Sequence, residues 1–434
     1  MGGAGKLKRE LGVFGATMMG LGSIIGTGIF VSVGMAAGIA GPAVVLAIAA
    51  AAVVATCNAL SSAQLAACHS VSGGTYEYGY AYLTPALGFT AGWMFLCAKS
   101  ASAATAALGF GGYLLHAFGK SGHGAMLAAA VTATVLLTVV VLMGMRRSNW
   151  TNIAIVSITL AALAFFVVAG LPRAIENGQQ NLTPFFAGSE AGGRSPFGAF
   201  LEACALMFVA FTGYGRIATL GEEVKDPRRT IPTAIITTLV FSAVLYITVA
   251  LIAVAASGAG AMTGSTMTLA APLEVVAASF SVPSGRWVLA IGAITAMLGV
   301  LLNLILGLSR VLLAMGRRGD VPTLFARLDA SRTTPYVAVA AVGTSIVCLA
   351  LIGNVKTTWS FSAFTVLIYY ALTNLAALRL SAKERLYSPL FAWGGLMACL
   401  FLAFWVEPRI WMAGLALIAA GLLWHAVAQG AKRA

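Results

Sequence analysis

The stretch Gly20-Leu-Gly-Ser-Ile-Ile-Gly-Thr-Gly-Ile-Phe30 lies inside the first long apolar run of the chain, yet it does not read as one continuous helix. Glycines stand at positions 20, 22, 26 and 28. Each costs roughly 1 kcal/mol relative to alanine in a helix interior, so the run is expected to break in its middle. A second apolar run, Phe208-Val-Ala-Phe-Thr-Gly-Tyr-Gly215, carries mid-run glycines in the same way. The surroundings set what such breaks mean. The chain has 434 residues, of which 60% are hydrophobic and only 9% charged. Soluble domains carry about 25% charged residues, so this chain has too few charges to cover a water-facing surface. A soluble enzyme, a disordered tail and a coiled coil are excluded. Runs such as Val44–Val54 and Val135–Val141 are continuously apolar, whereas a transmembrane β-barrel alternates. The fold class is all-α membrane protein.

A spanning helix needs about 20 apolar residues. The pattern predicts twelve spans, at 13–40, 42–67, 84–118, 124–145, 150–171, 197–221, 230–256, 286–316, 335–353, 357–379, 389–406 and 409–429. They divide as 13–171 (spans one to five), 197–379 (spans six to ten) and 389–429 (spans eleven and twelve), between short termini at 1–12 and 430–434. An even count places both termini on one side. With a cytoplasmic N-terminus, 18 Lys/Arg fall in cytoplasmic segments and six in outer ones, Lys99 and Arg216 lying within spans. The positive-inside rule therefore predicts cytoplasmic termini in the plasma or inner membrane. It also accounts for the net charge of +13, leaving no nucleic-acid partner to invoke. The short basic N-terminus ahead of a long apolar run does not read as a cleaved signal peptide, and Gly-Gly-Ala-Gly-Lys-Leu lacks the spacing of a phosphate loop. Six cysteines without a C-x-x-C pair and four scattered histidines (69, 116, 123, 425) suggest no metal site. No cofactor is expected, and the implied partners are the lipid bilayer, a small molecule and, for coupling, protons.

The two breaks occupy corresponding places in the first and second sets of five spans. Paired Gly-interrupted spans are the sequence pointer to a transporter site built on an inverted repeat. Backbone polar groups in lipid must be satisfied, so unwinding is tolerated where it lines a cavity. Free N–H groups at a half-helix N-terminus suit a carboxylate, and free carbonyls suit an ammonium. Together they would recognise an amino acid. Close helix packing is the competing account, since Gly22/Gly26 and Gly34/Gly38 are G-x-x-x-G pairs.

Four fragments, in order, resemble the amino acid permease branch of the amino acid–polyamine–organocation superfamily. GSIIGTGIF (22–30) is similar to the family's span-one signature, and SGGTYEY (72–78) to its loop between spans two and three. FVAFTGYGRIATLGEEVKDPRRTIPTAI (208–235) is similar to span six and the loop after it, and LSRVLLAMGRRGDVP (308–322) to the segment after span eight. The resemblance implies a five-plus-five inverted repeat with broken helices one and six, two further C-terminal helices, and alternating access. It places Ser23, Gly26, Thr27 and Gly28, with the Ile25 carbonyl, at the substrate carboxylate. Val209, Ala210 and Thr212, with Gly213, fall at the amino group, and Phe211 and Tyr214 at an aromatic gate.

Charges inside the spans add candidates for coupling. Lys99 lies mid-span, where a charge costs at least a few kcal/mol and faces protein or water. Many proton-coupled relatives carry a lysine in span five, and here Thr159 stands in that place, so Lys99 and Thr159 are the candidate coupling residues. Structural pairing competes as a role for Lys99. Span eight, Met297–Asn303, lacks the clustered Ser/Thr that a sodium site would want. Arg216, Glu222, Glu223 and Arg228 form a candidate cytoplasmic gate, against the alternative of a solvated loop. Ser70–Tyr82 reads either as an amphipathic element at the cytoplasmic interface or as a Gly-rich loop. Tyr369, Tyr370, Thr365 and Asn374 suit core packing better than a pathway, and Asn181-Leu-Thr183 is a formal glycosylation sequon. The absence of a carboxylate beside the second break, with Lys99 and Arg216 nearby, favours neutral amino acids. Acidic amino acids and amines are the in-class rivals, a channel or sensor the rivals outside it. No nucleophile–base constellation supports an enzyme. Proton symport and exchange both stay open.

Overall fold

A computed structural model describes residues 11–69, 73–144, 149–186, 195–218, 224–280, 282, 285–329 and 334–433. Their regular structure is helical. Eight helices among the described residues are long and apolar enough to cross a membrane, and two shorter apolar helices, Tyr336–Ile352 and Pro389–Ala403, accompany them. The chain is a multi-pass membrane protein.

Local sequence sets where the helices begin. Thr84 accepts a hydrogen bond from the Leu87 N–H ahead of Pro85, and Ser195 accepts from Gly198 ahead of Pro196. Asn354 and Ser388 cap their helices in the same way. A capping oxygen satisfies an orphan N–H, and proline at the first helical position gives up an N–H that would have no partner. The first apolar run becomes α1 (Val13–Ile24), an irregular turn, and α2 (Val33–Ala40). It then reverses at Gly41-Pro42-Ala43 into α3 (Val44–Cys68), with Gly41 at φ 62°. Only glycine accepts that backbone readily.

Burial sorts the helices into centre and rim. The most apolar stretch of Pro196–Ala218 is 83% buried, and that of α14 (Val355–Leu378) 72%. The corresponding figures are 28% for α6 (His123–Leu142) and 22% for the C-terminal helix α16 (Pro408–Arg433), so the rim faces lipid. The long α5 (Pro85–Ala117) packs against α14 and α12 (Gly285–Arg318), and its Ala101, Ala103, Ala104 and Ala107 are fully buried. Small side chains let helices approach closely where lipid supplies no hydrophobic drive.

Three segments depart from expectation. α7 (Asn149–Asn181) continues a full ten residues past the predicted end at 171. Its Asn177 and Asn181 amides donate to the Ala256 and Ala255 carbonyls at 3.3 and 2.8 Å. Those carbonyls precede Gly258 (φ 75°), where α10 (Pro227–Leu269) kinks. The polar tail of α7 thus satisfies the interrupted ladder of its neighbour. Beyond the kink a short unforeseen helix, α11 (Pro272–Ala278), packs on α10 and α12. Finally, 75–82 is a short helix, α4 (Thr75–Tyr82), rather than a Gly-rich loop. Its Tyr76 and Tyr78 are buried in protein, against α5 and α14. The Tyr76 and Tyr80 hydroxyls both donate to the buried Asp320 carboxylate at 2.7 Å, Arg318 lies over the Tyr80 ring at 3.9 Å and pairs with Glu77, and Trp424 donates to the Asp320 carbonyl at 2.8 Å. This network ties α4, α12 and α16 at one end of the bundle.

The two broken runs meet face to face. A Cβ placed on Gly213 would collide with the Ser23 carbonyl, and one on Gly28 would lie 2.6 Å from the Ala210 Cβ. Gly213→Ala is therefore expected to destabilise by about 1–3 kcal/mol through overpacking, lowering the thermal unfolding midpoint in detergent. Gly307→Ala, with open space around its position inside α12, is expected to raise that midpoint slightly through helix propensity.

Candidate functional site

α1 stops at Ile24 because Ile25 turns to an extended conformation (ψ 102°). The Ile25 N–H still reaches the Leu21 carbonyl at 2.8 Å, and the ladder resumes when Ile29 and Phe30 donate to Gly26 at 3.1 Å. Between those bonds the N–H groups of Gly26, Thr27 and Gly28 take no backbone acceptor among the described residues. Gly28–Ser32 is a wide π-type turn, and the Ser32 hydroxyl closes back on the Gly28 carbonyl. In the second run, α8 (Pro196–Phe211) gives way to a tight turn at Thr212–Tyr214, followed by the single turn α9 (Gly215–Ala218).

Side chains from elsewhere satisfy the carbonyls these breaks release. Tyr246 of α10 donates to Ile24 at 2.7 Å, and Tyr113 of α5 to Phe30 at 2.7 Å. Tyr370 of α14 donates to Thr212 at 3.2 Å, while the Trp359 indole of the same helix adds a second bond to the Leu206 carbonyl inside α8 at 2.9 Å. A phenol or indole donor is the form in which a largely apolar side chain carries one hydrogen bond into a membrane interior.

A small cavity, with about 370 Å³ of non-atom space including the part open to solvent, lies between the breaks. Ser23, Ile24, Thr27 and Gly28 line it from the first run, and Val209, Ala210, Thr212 and Gly213 from the second. Lys99 and Ser102 of α5, Val300 and Leu304 of α12 and Trp359 of α14 complete it. The Lys99 ammonium donates to the Thr212 hydroxyl at 2.8 Å, and that hydroxyl donates to the Val209 carbonyl at 2.8 Å. Across the cavity the Thr27 hydroxyl is buried with no hydrogen-bond partner among the described residues. A buried hydroxyl left so costs roughly 1–3 kcal/mol and is available to a ligand.

Most sequence-predicted positions converge here, and some do not. Ile25 is buried behind the break, and Gly26 sits against Val300, a Cβ there lying 2.6 Å from the valine methyl. Phe211 and Tyr214 do not line the cavity. Their rings pack behind it on Tyr246 and Tyr370, with centroids 5.2 and 5.4 Å apart. Trp359 takes the aromatic place in the wall. Thr159 is buried in α7 with its hydroxyl bonded to the Ile155 carbonyl of its own helix, while Lys99 reaches the second break directly. Arg216 lies half-buried in α9, Arg228 is exposed at the start of α10, and Glu222 and Glu223 lie outside the described residues. Sequence reasoning missed Ser102, Tyr113, Tyr246, Val300, Leu304 and Trp359. A lone Tyr or Trp in an apolar run gives no spacing signal of its own, and Tyr370 suited core packing.

The family model for amino acid permeases matches residues 11–419. An uncharacterized transporter of Mycobacterium tuberculosis is 39% identical over 97% of this chain and 92% of its own length. A branched-chain amino acid permease of Bacillus subtilis is 31% identical over 79% of this chain and 74% of its own. The human cationic amino acid transporter 4 is 29% identical over 88% of this chain and 62% of its own. With one family model covering nearly the whole chain, and with both helix breaks inside it, the protein belongs to the amino acid permease family of the amino acid–polyamine–organocation superfamily.

Proposed function

We propose that this permease is a secondary transporter of neutral amino acids, working by alternating access at the cavity between the two breaks. The observation that carries the reading is the pairing of unlike chemistries across that cavity. The Gly26–Gly28 amides and the unpartnered Thr27 hydroxyl present donors to a carboxylate, at the positive end of the half-helix that follows them. The turn at Thr212–Tyr214 presents backbone to an ammonium. Its Val209 carbonyl already accepts from Thr212, so Ala210 and the turn itself are the better placed partners.

Lys99 is the one charged side chain among the lining residues. At roughly 5 Å and an effective dielectric near 20, two like charges repel by about 3 kcal/mol, or about two orders of magnitude in affinity. A cationic side chain is disfavoured by that margin. The apolar wall of Ile24, Val300, Leu304 and Trp359 suits an aliphatic one, and the relative named as a branched-chain permease supports this over the one named as a cationic transporter. In the full reading twelve spans form two inverted five-span repeats and two further helices, both termini are cytoplasmic, and the membrane is the plasma or inner one. Lys99 couples transport to protons, or transport is exchange.

Uptake into proteoliposomes tests the reading. Leucine, isoleucine or valine is expected to enter at least ten-fold faster than arginine at equal concentration, and arginine as the best substrate would overturn it. A requirement for an inward proton gradient assigns symport, and a requirement for preloaded amino acid assigns exchange. Lys99→Ala is expected to narrow the preference against arginine. Thr27→Val, which removes one donor in the cavity, is expected to raise KM for the preferred substrate roughly ten-fold, as loss of one hydrogen bond worth about 1.4 kcal/mol would.

A further inference from the structure

A second polar group sits away from the cavity, at the bundle end that the proposed orientation makes the outer one. Glu274 of α11 is fully buried, and its carboxylate faces the His116 imidazole at the end of α5, 2.9 Å away. Neither carboxylate oxygen has another hydrogen-bond partner among the described residues. His116 is 21% exposed, so the pair is open to solvent on the imidazole side only. One turn back along α5, the buried Tyr113 hydroxyl donates to the Phe30 carbonyl within the Gly28–Ser32 turn. The backbone amides of Leu273 and Glu274 face the same phenolic oxygen, and α11 itself packs on that turn. One short helix is thus joined at one point to a titratable pair and at another to the broken helix.

We propose that His116 and Glu274 form a proton-binding pair that holds α11 closed over the first helix break, so that protons on the outer side favour the closed lid. This rests on the transport reading only for the side it assigns. With one proton between imidazole and carboxylate the buried pair is neutral overall. Without it a buried carboxylate keeps only a neutral imidazole, and burying an uncompensated charge is costly. Burial pushes the Glu274 carboxyl above its ordinary range, against smaller opposing effects of His116 and Arg286. The sign follows. A group whose pKa is raised in the closed form binds protons there, so closure is favoured by acid and weakens as pH rises. The groups that act on Glu274 are His116 and Tyr113 from α5 and Arg286 from α12, and α7, which also packs on α11, carries the half-buried Arg173 and the exposed Glu176 toward the same end. Opening α11 releases the proton, and closing takes one up.

Hydrogen exchange of the full chain in lipid nanodiscs tests this without any transport assay. Protection of the 272–278 peptide, corrected for the intrinsic pH dependence of exchange, is compared between about pH 6 and about pH 8. It is expected to fall roughly ten-fold in the wild type, the factor equivalent to one pKa unit of linkage. It is expected to be flat with pH in Glu274→Gln and His116→Gln. Tyr113→Phe keeps the pair and cuts its tie to Phe30, so pH dependence should persist at 272–278 and vanish in the peptide over 26–34. A wild type with no pH dependence, or Gln variants that keep it, overturns the proposal, whatever uptake shows. Should both Gln variants unfold, the Tyr113→Phe comparison alone decides between the outcomes.

Discussion

A backbone carbonyl released inside a membrane has no water to turn to, and the interior of this permease is arranged around that fact. Two helical runs are interrupted within their length, and each interruption frees groups that an intact ladder would have used. Tyr246, Tyr113 and Tyr370 answer them, each reaching from a different helix into the first or second break, and Trp359, on α14 with Tyr370, donates to Leu206 inside α8 ahead of the second break. The four donors also fix where α10, α5 and α14 stand, because a phenol or indole bonded at its tip positions the helix that carries it. The breaks are therefore the reference frame of the fold as well as its weakest helical segments. What the four do not cover includes the Thr27 hydroxyl, and Thr27 and Gly28 line the cavity.

Charge follows the same economy. Lys99 is the one charge in the cavity wall, and it is held by a hydroxyl, Thr212, that belongs to the second break. Two further buried carboxylates lie toward the ends of the bundle. Asp320 is enclosed by two tyrosine hydroxyls beside Arg318, and Glu274 is enclosed with His116. Both tie a short helix, α4 in one case and α11 in the other, to the ends of long ones. Short helices joined by polar contacts at the two ends, with α5 packed on α12 and α14 between them, are a division of parts that suits motion at the ends. In the proposed cycle the ends are where the two gates would be.

Much of this was legible in the chain. Charge scarcity and continuous apolar runs determine a helical membrane protein, since lipid accepts no other treatment of so many apolar residues. The glycines at 26, 28, 213 and 215 stand at the two breaks, where a helix gains least, while Gly20 and Gly22 lie within α1 at close contacts with Ile217 and Asn152. Ser23, Thr27, Gly28, Ala210, Thr212 and Gly213 then follow as neighbours of the cavity, and the family signature agrees with them. Helix starts were legible too, where Thr84-Pro85 or Ser195-Pro196 announced them.

Tertiary structure alone decided the rest. That Lys99 meets Thr212, that Phe211 and Tyr214 turn away while Trp359 faces in, and that His116 meets Glu274 are contacts between residues scores to hundreds of positions apart. No local periodicity encodes them, because a buried tyrosine in an apolar helix has the same sequence surroundings whether its hydroxyl meets a broken backbone or nothing. The sequence by itself determined the solvent, the helices and the places where they fail, all of which are set by residues within a few positions of one another. Which side chains repair those failures, and which groups are left free for a ligand, depends on how the helices pack, and only the folded chain decides that.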